Sequence, residues 1–108
     1  MPLTRIKSDS ITAGITIAAG VPTIVTSASL TAAKNTHYFV DTAARTITLP
    51  AGPTIGDRVL ITVGNFTNTI VGRNSSNIAS LAEDMTIDIA NMGMEFIYTN
   101  ATRGWVLV

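Results

Sequence analysis

Short runs of alternating apolar and polar residues, broken by glycine and proline, constrain this chain more than any other feature. They are clearest in residues 37–63, HYFVDTAARTITLPAGPTIGDRVLITV, where strands are predicted at residues 37–41, 45–49 and 57–63. A loop with two prolines and two glycines separates the last two of these strands. A period of two residues is typical of a half-buried strand, and Gly/Pro-rich segments keep such strands short. The residues of this stretch that we expect to face the core are Ile47, Leu49, Val59 and Ile61.

Similar runs occur before and after this stretch. Thr, Ile and Val are abundant in them and favour strands over helices. Strands at a spacing of about ten residues predict an all-β fold, an antiparallel β-sandwich or barrel of about eight short strands. Two hairpins are predicted, one between residues 57–63 and 69–71 and one between 94–99 and 105–108. The other predicted strands are at residues 11–17, 21–30 and 85–89.

The low content of charged residues suggests that part of the surface is covered by other chains. Only 13% of the 108 residues are charged, whereas a soluble monomer usually carries about a quarter. We therefore expect an oligomer or a larger assembly. Residues 1–36 are predicted to be an N-terminal arm with strands for docking or oligomerisation, and residues 37–108 are predicted to form a single β-module.

The balance of charge and the absence of cysteine argue against several classes of function. Seven basic and seven acidic residues give a net charge of zero without a basic cluster, so no nucleic-acid partner is expected. Without cysteine there are no disulfides and no thiolate metal sites. Residues 10–33 are uncharged but contain three glycine or proline breaks, so no membrane span is expected. The N-terminal residues do not match a signal peptide, which favours synthesis in the cytoplasm without export.

The residues that usually carry acid–base chemistry are few. His37 is the only histidine and is predicted to lie on the surface at a strand start. Asp41 and Asp57 are a candidate carboxylate pair for glycoside hydrolysis if their strands are adjacent. However, Asp57 follows Gly56 at the end of a loop, a position at which aspartate commonly caps a turn.

A second acidic group, formed by Glu83, Asp84 and Asp88, lacks the ligand spacing of a calcium loop. Calcium binding is therefore a weaker interpretation than a solvated turn. We expect no catalytic site, no metal site and no cofactor.

Aromatic and amide side chains leave open a glycan-binding surface, because flat rings stack on sugars. The candidates for contact with a glycan or another partner are Phe66, Asn74, Asn77 and Trp105. For Trp105 the favoured interpretation is packing in the core, with its indole N–H bonded at a sheet edge.

Several segments of the chain resemble, in order, a module common in virion surface proteins of tailed bacteriophages, especially tail fibres. The family pattern is roughly a YxVDTSAG-like turn, a TLTLPxxPxxGD segment and an apolar strand. A polar Gly-Arg-Asn loop, an acidic pair, an aromatic strand and a closing Gly-Trp follow. The match spans about residues 36–108, and the matching segments are residues 38–49, 50–57, 72–78, 83–84, 94–99 and 104–105. Arg45 and Ser75 depart from the pattern, and both lie in predicted turns.

The resemblance implies a non-enzymatic β-module on a virion, often a homotrimer. The chain leaves room for one module and an N-terminal segment, so the expected function is that of a small capsid decoration or cement protein. Its expected partners are its own copies and the major capsid protein or other virion proteins, and its expected location is the virion. The alternatives are a tail-fibre or tail component, or a carbohydrate-binding module that contacts host glycans.

Overall fold

Nine short strands account for the regular structure of residues 21–108, the part of the chain that the computed structural model describes. That part contains no helix, and therefore none that is long or apolar enough to cross a bilayer. The predicted strand at residues 11–17, and with it most of the predicted N-terminal arm, lies outside the described residues. The strands are β1 (Thr23–Thr26), β2 (Leu30–Thr31), β3 (Thr36–Val40), β4 (Thr46–Thr48), β5 (Arg58–Val63), β6 (Thr69–Gly72), β7 (Met85–Ile87), β8 (Gly93–Asn100) and β9 (Gly104–Leu107).

The chain winds between two sheets as a coil. Sheet A has the order β1-β3-β5-β8-β9 and sheet B the order β2-β4-β6-β7. Successive strands alternate between the sheets from β1 to β6, and within each sheet they pair in parallel. The last three strands, β7, β8 and β9, add to the sheets in antiparallel pairs. The result is three turns of a two-sheet coil that is closed by an antiparallel segment.

The all-β, sandwich-like prediction is confirmed, but the prediction of purely antiparallel pairing is wrong because both sheets are mixed. The predicted hairpin between residues 57–63 and 69–71 is also wrong, since β5 and β6 lie in different sheets. The hairpin of β8 and β9 is confirmed. Parallel neighbours need a crossover connection, and here each crossover contains a strand of the opposite sheet.

The core lies between the two sheets and is aliphatic with three buried aromatic residues. Ile47, Leu49, Val59 and Ile61 each have 0% exposure, as predicted. The two largest fully buried side chains are Trp105 and Phe96. Full burial of one large apolar side chain stabilises a fold by about 1.5–3 kcal/mol, so these residues account for much of the driving force for folding.

The coil has two ends, because the strands of sheet A and sheet B carry the chain in opposite directions. The upper end contains the loops at residues 27–29, 41–45, 64–68 and 88–92. The lower end contains the loops at residues 32–35, 49–57, 73–84 and 101–103. Stacked loops are tied together by hydrogen bonds, for example from Gly64 N to Val40 O (3.1 Å) at the upper end. At the lower end Asn74 Nδ2 donates to Leu49 O (2.9 Å).

The two edges of sheet A differ. The edge formed by β9 is covered by residues 77–80, because Trp105 N donates to Asn77 O (2.8 Å) and Ala79 N donates to Trp105 O (2.8 Å). Gly104 permits this approach: its φ is +71°, and a Cβ at this position would overlap the carbonyl of Asn77. The opposite edge, β1, has no further strand beside it among the described residues. Unpaired strand edges are sites at which other chains add.

Candidate functional site

His37 lies on the outer face of sheet A and is held by two threonines rather than by a carboxylate. Its Nδ1 is 3.1 Å from Thr23 Oγ1 and its Nε2 is 2.9 Å from Thr62 Oγ1. Burial lowers the pKa of this imidazole below its ordinary value of 6.5. The ring is therefore neutral at pH 7 and links β1, β3 and β5. This arrangement resembles a structural bridge more than an acid–base pair.

Asp41 and Asp57 lie at opposite ends of the coil. Their strands β3 and β5 are adjacent, but they are parallel. Asp41 follows the end of β3, and Asp57 precedes the start of β5. At about 3.3 Å per residue, a parallel strand of this length keeps the two carboxylates too far apart to act on one bond. The hypothesis of a glycosidase pair at these residues is therefore wrong.

Asp57 caps its loop, as predicted. Its Oδ2 accepts hydrogen bonds from Thr54 N (2.7 Å) and Thr54 Oγ1 (3.1 Å) and lies 3.1 Å from Lys34 Nζ. The bond from Thr54 N, aided by Lys34, lowers the pKa of the Asp57 carboxyl below 3.8. These contacts join the loop at residues 49–57 to the neighbouring loop at residues 32–35.

The acidic residues after β6 do not form a metal site. Asp84 Oδ1 accepts a hydrogen bond from Arg73 N (2.8 Å), so this carboxylate stabilises the turn that leaves β6. Within residues 21–108 no group of three or more His, Asp or Glu side chains is placed to hold a metal ion.

The four candidate residues for glycan contact do not form a common surface. Phe66 is at the upper end of the coil, half-buried, and packs against the core. Asn74 is at the lower end, where its side chain donates to Leu49 O. Asn77 is also at the lower end and donates from Nδ2 to Thr102 O (2.9 Å). Both amides are thus occupied in joining loops.

Trp105 has no exposed surface, so its ring offers no face on which a sugar can stack. It packs in the core, as the favoured interpretation predicted, and meets Tyr98 edge to face at a centroid distance of 5.5 Å. The predicted hydrogen bond at the sheet edge is absent, because Nε1 has no partner among the described residues. A buried donor without an acceptor costs about 1–3 kcal/mol.

The outer face of sheet A, the face that points away from sheet B, was not predicted as a functional surface. Its strands carry apolar residues on this side as well as on the core side. Phe39, Leu60, Ile97 and Val106 are half-buried across β3, β5, β8 and β9, although no described residue of sheet B lies over them. At its margins Val25 is 62% exposed and Val108 is 72% exposed. The apolar residues of the outer face of sheet A are Val25, Phe39, Leu60, Ile97, Val106 and Val108.

The polar groups of this face satisfy one another. Thr23, His37 and Thr62 form one chain of contacts. Arg58 Nη1 lies 3.1 Å from Glu95 Oε2, which is the only ion pair on the face among the described residues. That oxygen has no hydrogen bond of good angle, so the contact is electrostatic. The face therefore carries no net charge and few free polar groups.

The outer face of sheet B has a different character. It carries Thr31, Thr46, Thr48 and Thr86, with Ile70 as its one large apolar residue. Gly72 leaves room there for the Thr48 side chain, whose Oγ1 would lie 3.1 Å from an added Cβ. A threonine-rich outer face is typical of a sheet that is exposed to water on one side. Sheet A thus presents several large apolar residues on its outer face, whereas the described part of sheet B presents one.

An apolar cleft of about 290 Å³ lies at the lower end of the coil. It is bordered by Ile78, Leu81 and Met85 together with the turn around Ala79. Glu83, Asp84 and Thr86 also line it, and Asp84 already accepts the hydrogen bond from Arg73 N. Ala79 and Ser80 both have positive φ values, of 50° and 70°, and form a tight turn closed by mutual backbone bonds between Ile78 and Leu81. Leu81 is 56% exposed at the rim. The cleft brings together no set of polar groups suited to catalysis.

Comparison with known proteins supports the fold and goes no further. No protein-family model matches the sequence, and no curated protein matches it. A solved structure described as "Structure of a chaperone-substrate complex" is similar over 77% of this chain, with a TM-score of 0.50 and 15% sequence identity. The present chain spans 14% of the length of that chain. At this identity the likeness concerns the arrangement of strands alone.

Proposed function

We propose that this chain is a non-enzymatic structural protein of a bacteriophage virion. Within that class, the function we propose is a capsid decoration or cement protein, which trimerises on the surface of the head shell and stabilises it. The order of the motifs between residues 36 and 108 supports this proposal, because it follows the pattern of the virion surface module. The all-β fold without helices in residues 21–108 is compatible with that module.

One geometric observation carries the proposal. The polar side chains at the candidate positions hold loops and strands together, whereas the outer face of sheet A presents several large apolar residues. Asp57, Asn74 and Asn77 bond neighbouring loops, and His37 bridges three strands. Catalysis and sugar recognition need polar groups that converge on an open site. An apolar sheet face with internally paired charges instead suits contact with protein.

A cement protein acts by mass action on the shell. Because it binds the assembled lattice and not the dissociated subunits, its binding free energy adds to the stability of the shell. At a free concentration of 100 times Kd, this contribution is about 2.7 kcal/mol per bound site. A capsid offers many such sites, so modest binding at each one is sufficient.

The test is to add the purified chain to capsids of its phage from which it has been omitted. Saturable co-sedimentation and a higher temperature of shell disruption are the expected results. Failure of the folded protein to bind these capsids would refute the decoration role. Binding to isolated tails instead of heads would support the alternative of a tail or tail-fibre component.

A glycan array separates the structural function from receptor recognition. Since Trp105 is buried and Phe66 lies at the other end of the coil from Asn74 and Asn77, we expect no saturable signal. A strong signal that is lost on Asn74→Ala would favour the carbohydrate-binding alternative.

A further inference from the structure

The outer face of sheet A presents a diagonal row of apolar side chains that crosses four strands. Leu60 on β5 is central, and its direct cross-strand neighbours are polar, His37 on β3 and Glu95 on β8. The row continues diagonally from Leu60 to Phe39, which lies beside Thr62, and to Ile97, which lies beside Arg58. Val106 continues the row on β9, directly opposite Ile97. The core is already complete without these residues, since thirteen other apolar residues are buried within the described part of the chain. Their position is therefore not explained by the packing of residues 21–108.

We propose that the outer face of sheet A is the surface through which copies of this chain associate. This inference rests on the proposed function in one respect, namely that the proposed function expects copies of the chain to associate. It adds the residues that make the contact. Leu60, Phe39 and Ile97 form the centre of the contact, and Val25 and Val106 lie toward its margins.

The electrostatics of the face favour a second copy over a charged partner. Arg58 and Glu95 are the charged residues among those that the strands place on this face, and they are paired with each other at 3.1 Å. His37 is neutral at pH 7 because burial lowers its pKa. A face without net charge meets its own copy without repulsion between like charges, and it provides no attraction to an acidic or basic surface.

The size of the face suits a contact that extends to the free edge of the sheet. Five strands at a spacing of about 4.8 Å, with roughly five residues of about 3.3 Å each, give a flat area on the order of 300–400 Å². This is the area of the whole face, polar side chains included, and it is about half of the ~800 Å² per partner in a standard interface. The β1 edge adjoins the face and exposes Ile24 (42%) and Val25 (62%), so it extends the apolar contact area.

The contrast with sheet B provides an internal comparison. The outer face of sheet B carries four threonines and one large apolar residue, Ile70, where the outer face of sheet A carries its apolar row. A face that remains in water needs no apolar row, and a face covered by another chain benefits from one. The difference indicates which side of the molecule is covered.

A charge at the centre of the row tests the proposal. Leu60→Glu should dissociate the oligomer of the full-length chain and raise the concentration at half-dissociation by roughly 100-fold or more, because it buries an unpaired carboxylate in the contact. Light scattering measures the oligomer, and circular dichroism checks that the variant is folded. Ile55→Glu is the matched control, since Ile55 is 80% exposed in the loop at residues 49–57, away from the face, and the change should leave the oligomer intact.

Cysteine cross-linking provides a second measurement that does not depend on destabilising the contact. The chain has no cysteine, so Thr62→Cys introduces a single thiol on the face, and Ile55→Cys introduces one outside it. With a short bis-maleimide, position 62 should give covalently joined copies at least tenfold faster than position 55. The reverse order, or equal rates, would overturn the proposal, as would a full-length wild-type chain that is monomeric at micromolar concentration.

The outcomes distinguish this inference from the proposed function. If Leu60→Glu dissociates the oligomer but the wild-type chain does not bind capsids, the result would support self-association through the outer face of sheet A and refute the decoration role. If the chain binds capsids and Leu60→Glu leaves its oligomer intact, the result would refute self-association through the outer face of sheet A and support the decoration role.

Discussion

The contact of Gly104 with Asn77 provides the sharpest test of how the coil is closed. Gly104 opens β9 with a φ of +71°, and a Cβ built there would overlap the carbonyl carbon and oxygen of Asn77. Gly104→Ala must therefore push residues 77–80 away from β9. The segment would lose the backbone bonds from Trp105 N to Asn77 O (2.8 Å), from Ala79 N to Trp105 O (2.8 Å) and from Ser80 N to Arg103 O (2.9 Å).

The magnitude follows from two separate costs. Alanine at a positive φ costs about 1–2 kcal/mol relative to glycine, and each lost hydrogen bond costs about 1 kcal/mol net. The expected loss in free energy of unfolding is therefore about 4–5 kcal/mol, a large part of the 5–15 kcal/mol that is typical of a domain. Gly52→Ala is the matched control, because Gly52 has a φ of +58° and no atom within 4 Å of an added Cβ. It should show only the conformational cost.

Denaturant unfolding at fixed protein concentration measures both variants. Trp105 is the single tryptophan and is fully buried next to the perturbed contact, so its fluorescence reports unfolding directly. A loss in Gly104→Ala that does not exceed the loss in Gly52→Ala would refute the account of the covered β9 edge.

Three further changes test the core and the loops. Leu49→Ala should cost about 2–5 kcal/mol in denaturant unfolding, because Leu49 is fully buried between the sheets; a cost below ~1 kcal/mol would contradict its position. Burial lowers the pKa of His37, so the unfolded chain binds its proton more tightly. Stability should be full above pH 6.5 and fall as the pH decreases through that value, and His37→Gln should remove this dependence. The pKa of Asp57 is lowered mainly by the bond from Thr54 N, so its contribution should be present above pH 3.8 and disappear below it. Asp57→Asn should flatten that part of the pH–stability curve, and an unchanged curve would argue against the cap.

The positions of the strands and of the core were largely predictable from the sequence. The alternation of residues in the central stretch places β3, β4 and β5 within one residue or two of the predicted bounds, and Ile47, Leu49, Val59 and Ile61 are buried as expected. The alternation of apolar and polar residues and the composition of the turns depend only on residues that are close in the chain, so both can be read from the sequence.

The direction of strand pairing was not predictable in the same way. Loops of five residues connect β3 to β4 and β5 to β6, a length that also suits a hairpin. Whether such a loop returns the chain to the same sheet or carries it to the opposite one depends on packing across the core. The alternation in β5 and β6 is the same in both cases, and the hairpin interpretation of these strands failed for that reason.

The sequence contains a signal for the apolar outer face of sheet A. In the segment RVLITV, Leu60 occupies a position that the alternation assigns to water, and Ile97 does the same in MEFIYT. Nearly continuous apolar strands are typical of sheets covered on both faces. The covering of the β9 edge by residues 77–80, by contrast, is a contact between distant parts of the chain that no local pattern reveals.

The proposed decoration role is tested most directly by the binding of this chain to bacteriophage capsids that lack it. We expect the folded oligomer to co-sediment with capsids that lack it, to saturate, and to raise the temperature at which the shells break. A folded, oligomeric chain that neither binds such capsids nor changes their stability would contradict the account.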